Sequence, residues 1–174
     1  MELVYPNIKY KDSYIDAVKE YQDENQGHGR YLELNLEKLK TDFESYVEKL
    51  KSESKGENLK SGYVPHTEFW LVDEDKYIGR VDIRHDLNDH LLKVGGHIGY
   101  DIRKSERNKG YGTQALKKAL PFAKNLRLEK VLITCDSTNI GSRKIIETNG
   151  GILENEIPGE NGEPSKLRFW IDLK

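Results

Sequence analysis

From Ile102 to Thr113 the sequence reads Ile-Arg-Lys-Ser-Glu-Arg-Asn-Lys-Gly-Tyr-Gly-Thr, a strand end running into a helix start. Gly110 and Gly112 permit a tight turn with outward-pointing N–H groups, and a helix N-terminus adds roughly half a positive charge there. Arg103, Lys104, Arg107 and Lys109 against Glu106 give a local +3 in a chain of net charge −2. Both features suit a polyphosphate; a glycine-stabilised turn with solvated charges is the plain alternative. No Walker A sequence is present. Gly110-Tyr111-Gly112-Thr113-Gln114-Ala115 fits the loose dinucleotide pattern G-x-G-x-x-A, but the 62 residues after Gly112 are too few for a doubly wound sheet. Arg107, Gly110 and Gly112 also satisfy Arg-x-x-Gly-x-Gly.

The elements that must position this turn follow from periodicity. Asp12 is a candidate cap for a helix carrying Tyr14, Ile15, Val18 and Tyr21 on one face, ended by Gln26-Gly27-His28-Gly29. Asn35 caps a second helix with a stripe of Leu36, Leu39, Phe43, Val47 and Leu50. Phe69–Val72 and Tyr77–His85 read as a hairpin around Asp73-Glu74-Asp75-Lys76, after a first short strand at Met1–Tyr5. Gly95–Arg103 is a third strand of the hairpin sheet, with Ile98, Tyr100 and Ile102 on one side and His97, Asp101 and Arg103 on the other. Its three glycines imply a bulge or a close approach by a ligand. Gly110–Asn125 is a helix that Pro121 should kink or break, at about 3 kcal/mol for a straight run. Val131–Cys135 is a strand covered on both faces, Asn139–Asn149 a helix stopped by Gly150-Gly151, and Ile152–Glu156 and Leu167–Leu173 closing strands.

Composition bounds the rest. A chain of 174 residues fits one domain and buries roughly 70% of its unfolded surface, so it needs no disulfide or metal staple. With 28 Lys+Arg against 30 Asp+Glu, no global field selects nucleic acid as partner. The single Cys135 excludes a disulfide framework and a cysteine-rich zinc site, and reads as buried core. No apolar run is long enough for a membrane span and no signal peptide is evident, so a cytoplasmic protein is the expectation.

Element order, the Arg107/Gly110/Gly112 turn, and a helix opening Asn139-Ile140-Gly141-Ser142 and closing Glu147-Thr148-Asn149-Gly150-Gly151 together resemble the GNAT N-acetyltransferase superfamily. Residues 66–156 carry the resemblance; the first 60 do so by element order alone. Gly96-His97-Ile98-Gly99-Tyr100 and Ser105-Glu106-Arg107 are similar to bacterial acetyltransferases of unassigned substrate. The resemblance implies a mixed α/β (α+β) fold in a single domain over residues 1–174. Its central sheet is mixed and mostly antiparallel, with a splayed parallel strand pair and helices on both faces.

It further implies acetyl-CoA as co-substrate, with pyrophosphate on the amides of Arg107, Asn108, Lys109, Gly110, Tyr111, Gly112 and Thr113, and the Thr113 hydroxyl as an extra donor. Pantetheine would lie in the splay against backbone groups of Ile102 and Arg103, meeting Asn139, with Ser142 one turn on. Arg143 and Lys144 could meet the 3′-phosphate or remain solvated. The implied chemistry is direct attack of an amine on the acetyl thioester, in a ternary complex with a small-molecule or peptide acceptor. No metal, nucleic acid or membrane partner is expected, and a homodimer stays open. A lysine-like amine, pKa about 10.4, is neutral about once in 2,500 at pH 7, so a base near pKa 6.5 is useful. His97 is the first candidate, with a structural histidine as the alternative; Asp82, Asp101, Glu106 and the loop residue His28 follow. The family's tyrosine seven residues after the Asn is Ile146 here, which leaves Tyr100 or an unassisted thiolate at the departing sulfur. A non-catalytic acyl-CoA-binding regulatory module is the alternative function.

Overall fold

The computed structural model describes residues 1–24 and 29–174. The chain runs β1 (Glu2–Val4), α1 (Lys11–Asp23), α2 (Gly29–Leu32), α3 (Leu36–Thr41), α4 (Phe43–Glu53), β2 (His66–Asp73), β3 (Lys76–Arg84) and β4 (Ile98–Ile102). Then follow α5 (Tyr111–Asn125), β5 (Lys130–Asp136), α6 (Ile140–Thr148), β6 (Ile152–Ile157) and β7 (Lys166–Asp172). Strands β1-β2-β3-β4 form one antiparallel sheet and β5-β7-β6 a second. The α+β class and the helices on both faces agree with expectation. The predicted parallel pair, β4 beside β5, forms no ladder; the two strands belong to separate sheets.

Periodicity located most elements. Tyr14, Ile15, Val18 and Tyr21 are buried on the inner face of α1, and Asn35 caps α3 by accepting from the Lys38 N–H at 2.9 Å. The long second helix is broken at Asp42 (φ −134°, ψ 44°) into α3 and α4, although its stripe of Leu39, Phe43, Val47 and Leu50 stays buried. These helices cover one face of the four-stranded sheet around Trp70, which stacks on Tyr14 at 4.6 Å. Helices α5 and α6 cover the other face, with Val81, Ile83, Ile98, Leu116, Ile133 and Phe169 in a common core. Pro121 does not end α5, which continues to Asn125. The proline has no N–H to give to the turn before it, and that one lost bond is outweighed by Ala115, Leu116, Ala119 and Ala123 buried along the same face.

Strand β4 is shorter than expected. Leu91–Gly95 form a π-helical turn, and Gly96 sits at φ +70°. A side chain at Gly96 would lie 2.6 Å from the Leu132 carbonyl, so the close approach is by β5 of the same chain and not by a ligand. Asn149 and Gly150 (φ +88°) end α6 as the sequence indicates.

Candidate active site

The register of β4 decides which backbone groups are available. Arg84 donates its N–H to His97 O at 2.8 Å and Arg103 donates to Ile78 O at 2.9 Å, around the pairs Ile83–Ile98 and Gly79–Ile102. Alternation along an antiparallel ladder then commits Gly99 and Asp101 to β3 and turns the N–H and C=O of Ile98, Tyr100 and Ile102 outward. On β5, the bonds Leu173 N–H to Glu129 O and Ser137 N–H to Ser165 O likewise turn Leu132 and Thr134 outward, toward β4. Only Leu132 is closed: His97 donates its N–H to Leu132 O at 2.7 Å, and Leu132 donates its N–H to His97 Nδ1 at 2.9 Å. Beyond that joint the outward groups of Tyr100 and Ile102 face an opening between the sheets. One of them is engaged, since Arg107 Nε donates to Ile102 O at 2.9 Å.

The turn after β4 opens α5. Asn108 (φ 62°) and Gly110 (φ 82°) are left-handed, and a side chain on Gly110 would meet nothing within 4 Å. The first bond of α5 is Gln114 N–H to Gly110 O at 3.2 Å, and Gly110 offers no side-chain cap. Among the described residues, the six N–H groups from Asn108 to Thr113 have no partner. The expected +3 is another matter, because most of its side chains are already paired with carboxylates. Arg103 is buried on Glu20 (2.5 Å) and Tyr77 O (3.2 Å), Arg107 is held bidentately by Glu24 (2.8 and 2.9 Å), and Lys109 bonds Glu106 at 3.0 Å. Anion attraction here comes from amides and the helix end. Tyr111 braces the turn from outside, its hydroxyl on Asp73 at 3.1 Å.

Gly112 has a different role from Gly110. It is buried, and a side chain there would lie 2.6 Å from Ile145 Cδ1, so its small size serves α5–α6 packing. Asn139 caps α6, accepting from the Ser142 N–H at 2.9 Å. Tyr100 and Ser142 share a hydroxyl–hydroxyl hydrogen bond of 2.9 Å across the opening, and burial pushes the Tyr100 phenol up to about 12. Ile146 is fully buried in the common core and does not project into the opening. The position that the resemblance gives to a tyrosine at the departing sulfur thus turns into the core here. Cys135 lies in the core, as expected, and burial raises its thiol.

Four of the candidate bases acquire definite partners. His97 is 8% exposed, and burial, then the Arg84 charge, pull its imidazole down to about 4; with Nδ1 accepting from Leu132, the ring is the neutral Nε2–H tautomer. Asp101 accepts from Tyr21 Oη (2.8 Å), Tyr31 Oη (2.9 Å) and Arg80 Nε (2.7 Å). Glu106 bonds Lys76 and Lys109, and Lys76 lowers its carboxyl. Asp82 bonds Arg80 through Oδ2, while its buried Oδ1 has no hydrogen bond among the described residues. Burial acts to raise the Asp82 carboxyl, but Arg80 and Arg30 outweigh it and hold it at about 2. His28 lies outside the described residues, as do Asn25, Gln26 and Gly27. Arg143 pairs with Glu147 at 2.9 Å, on the outside of α6.

Sequence reasoning missed the cluster that faces the α1–α4 helices: Arg30 on Glu53 (3.0 Å) and Glu68, with Glu68 accepting from Trp70 Nε1 at 2.8 Å. Alternation of charged residues along β3 was its only local signal. Among the described residues no three His, Cys, Asp or Glu side chains are grouped to hold a metal, and no helix is long and apolar enough to cross a membrane.

Comparison with known proteins places this geometry. A relative from Bacillus subtilis (strain 168), "Uncharacterized N-acetyltransferase YjdG", is 31% identical over 75 residues, a stretch covering 42% of this chain and 40% of that protein. The crystal structure of a microcin C7 self-immunity acetyltransferase in complex with acetyl-CoA and AMP has a TM-score of 0.69 at 18% identity, covering 98% of this chain and 91% of that one. Mycobacterium smegmatis RimJ in complex with CoA-disulfide has a TM-score of 0.70 at 15% identity, covering 98% and 80%. Residues 11–152 match the model of the acetyltransferase (GNAT) domain, and the chain belongs to that family.

Proposed function

We propose that the protein transfers acetyl from acetyl-CoA to a primary amine of a small molecule or peptide, in a ternary complex, with residues 1–174 acting as one cytoplasmic domain. The observation that carries this reading is the run of six uncommitted amides from Asn108 to Thr113 at an uncapped helix end, beside the outward-facing edge of β4. The residues fit the co-substrate: the amides and the α5 terminus suit a pyrophosphate, and the backbone of Tyr100 and Ile102 suits an extended amide-bearing arm. Asn139 and Ser142 flank that arm from α6. Bound there, acetyl-CoA supplies an activated acyl carbon; the acceptor nitrogen bonds to it, the C–S bond breaks, and the nitrogen's proton leaves.

His97 fits a joint better than a base in this reading, since charging it would break the bond from Leu132. The amine's proton is better assigned to water on the helix-covered face, because Asp82 at about 2 is a poor base and Asp101 is fully occupied. Tyr100 is the residue nearest in type to an acid. A phenol at about 12 facing a thiolate near 8.5 lies roughly 3.5 units uphill, about 5 kcal/mol, so its part is a hydrogen bond to sulfur rather than full proton donation.

The test is release of free thiol from acetyl-CoA against a panel of amines, with calorimetry for coenzyme A binding. Intersecting initial-velocity lines are expected; parallel lines would replace the ternary complex with an acyl-enzyme. Coenzyme A binding without thiol release for any amine would favour a non-catalytic acyl-CoA-binding module.

A further inference from the structure

A cavity of about 610 Å³ opens on the helix-covered face of the four-stranded sheet, between β3, the Tyr63–Val64 segment, α4 and the turn before β4. That is the size of a small-molecule site. Five arginines and lysines line it against three carboxylates, a balance opposite to that of the whole chain. Most of these charges are matched in pairs: Arg30 with Glu53 (3.0 Å), Lys60 with Glu33 (3.0 Å), and Arg80 with Asp82.

Arg84 is not matched. Its Nη1 donates to the carbonyls of Gly95 (3.2 Å) and Gly96 (2.9 Å), and among the described residues its Nε and Nη2 have no partner and no carboxylate bridges it. The other arginines drawn into the interior, Arg30, Arg80 and Arg103, all have carboxylates. Burial lowers the Arg84 guanidinium, although Asp82 pulls the other way, which is the condition of a desolvated cation lacking a counter-ion. Its Nη2 lies 3.6 Å from where a Gly99 side chain would stand, so the absence of that side chain leaves the guanidinium room over β4. Two residues back on the same face of β3, Asp82 lines the same cavity, is 8% exposed and keeps the unbonded Oδ1. One wall of the cavity thus carries a buried acceptor without a hydrogen bond, with Arg30 Nη1 no closer than 3.9 Å, and a half-buried guanidinium with open donors, roughly 7 Å apart along the strand.

Resting on the acetyl-transfer reading, we propose that the acceptor is a small amine that also carries an anionic group, a carboxylate or a phosphate, which Arg84 holds in this cavity while its ammonium faces Asp82. A planar guanidinium with two free donor directions matches either anion. Amines without the anion leave the half-buried cation without a counter-ion and bind less well.

The experiment compares acceptors in matched pairs: glutamate with its diamide, glycylglycine with its amide, and phosphoethanolamine with ethanolamine. For wild type, kcat/KM is expected to be at least tenfold higher for the anionic member of a pair, and whether the carboxylate or the phosphate pairs show it identifies the anion. Arg84→Gln can still donate to Gly95 and Gly96; it should reduce the ratio below threefold, with coenzyme A affinity kept, and Arg84→Lys should restore part of it. Equal use of neutral partners, or no thiol release with any anionic member while coenzyme A binds, overturns the inference alone. If wild type binds no coenzyme A, the transfer reading falls, and this inference falls with it. Because the acceptor pairs need no substitution, a variant that fails to fold does not rescue the idea.

Discussion

His97 and Leu132 exchange two hydrogen bonds, backbone to backbone at 2.7 Å and backbone to Nδ1 at 2.9 Å, and this pair is where the two sheets are joined before they diverge. The imidazole satisfies a buried donor that β4 cannot reach, since β4 has begun to turn away. His97→Ala should therefore lower stability by about 1–3 kcal/mol, which for a chain of this size is a fall of several degrees in Tm. His97→Asn, whose Oδ1 can replace Nδ1, should recover much of it. A base would behave otherwise: Ala would leave Tm alone and reduce turnover 10²-fold or more.

The same bond sets a pH dependence. The folded imidazole titrates near 4 and an unfolded one near 6.5, so the unfolded chain holds the extra proton between those values. The contribution is present above pH 6.5 and is lost as pH falls from 6.5 toward 4. In urea titrations across that window, wild type should lose its advantage over His97→Asn and fall below it as pH approaches 4. A parallel offset at every pH would show that the imidazole stays unlinked to folding.

Much of this architecture was legible in the sequence, for physical reasons that also mark where reading stops. Burial periodicity found α1, the α3–α4 stripe and α5, and local turn chemistry found Gly110 and Asn139, because each depends on neighbours a few residues away. Gly112, His97 and the tyrosine position occupied by Ile146 are tied to the site by the family resemblance, yet their surroundings come from α6, β5 and the core. Whether a small residue on a helix faces a ligand or another helix depends on tertiary contacts that no local pattern encodes. Charge was misleading in the same way. The +3 of the turn is reduced to +1 by Glu20 in α1 and Glu24 at its end, some eighty residues earlier.

Gly110 and Gly112 can be separated by experiment. Gly110→Asn and Gly110→Asp both tolerate a left-handed φ and project into open space, differing only in charge. At an uncapped helix N-terminus the carboxylate should raise Tm slightly. It should also weaken coenzyme A binding at least tenfold relative to Asn, as it would stand where the phosphates approach. Equal affinities for the two variants would remove the pyrophosphate from this turn. Gly112→Val is expected to reduce stability through Ile145, and so does not test binding.

Tyr100 and Ile146 give opposite outcomes. Tyr100→Phe removes the hydroxyl bonded to Ser142 and, if that group also supports the sulfur, should lower kcat about tenfold with little change in KM for acetyl-CoA. Ile146→Tyr puts a phenol into a filled core and should cost about 1–3 kcal/mol without raising turnover. An unchanged kcat in Tyr100→Phe would mean that thiolate departure needs no help from this residue.

Asp101 provides the sharpest test of whether the helical layer is structural at its polar end. Its carboxylate accepts from Tyr21, Tyr31 and Arg80 together, and Tyr31 is completely buried against Tyr21 in a 4.1 Å stack. The three donors come from α1, α2 and β3, so one side chain on β4 ties both flanking helices to the sheet. Asp101→Asn keeps the shape but replaces one oxygen by an NH₂ that can only donate. Toward Arg80 that NH₂ opposes another donor, and toward Tyr21 and Tyr31 it makes both hydroxyls accept; either way Arg80 loses one of its two close counter-charges. Breaking a buried pair of this kind should cost about 3–5 kcal/mol, seen as a lower midpoint in urea at an unchanged slope. Coenzyme A affinity per folded molecule should hold, because the amides of Asn108–Thr113 lie beyond the end of β4. If Asp101→Asn instead left the urea midpoint in place while abolishing thiol release, Asp101 would have to be moved from the framework to the chemistry.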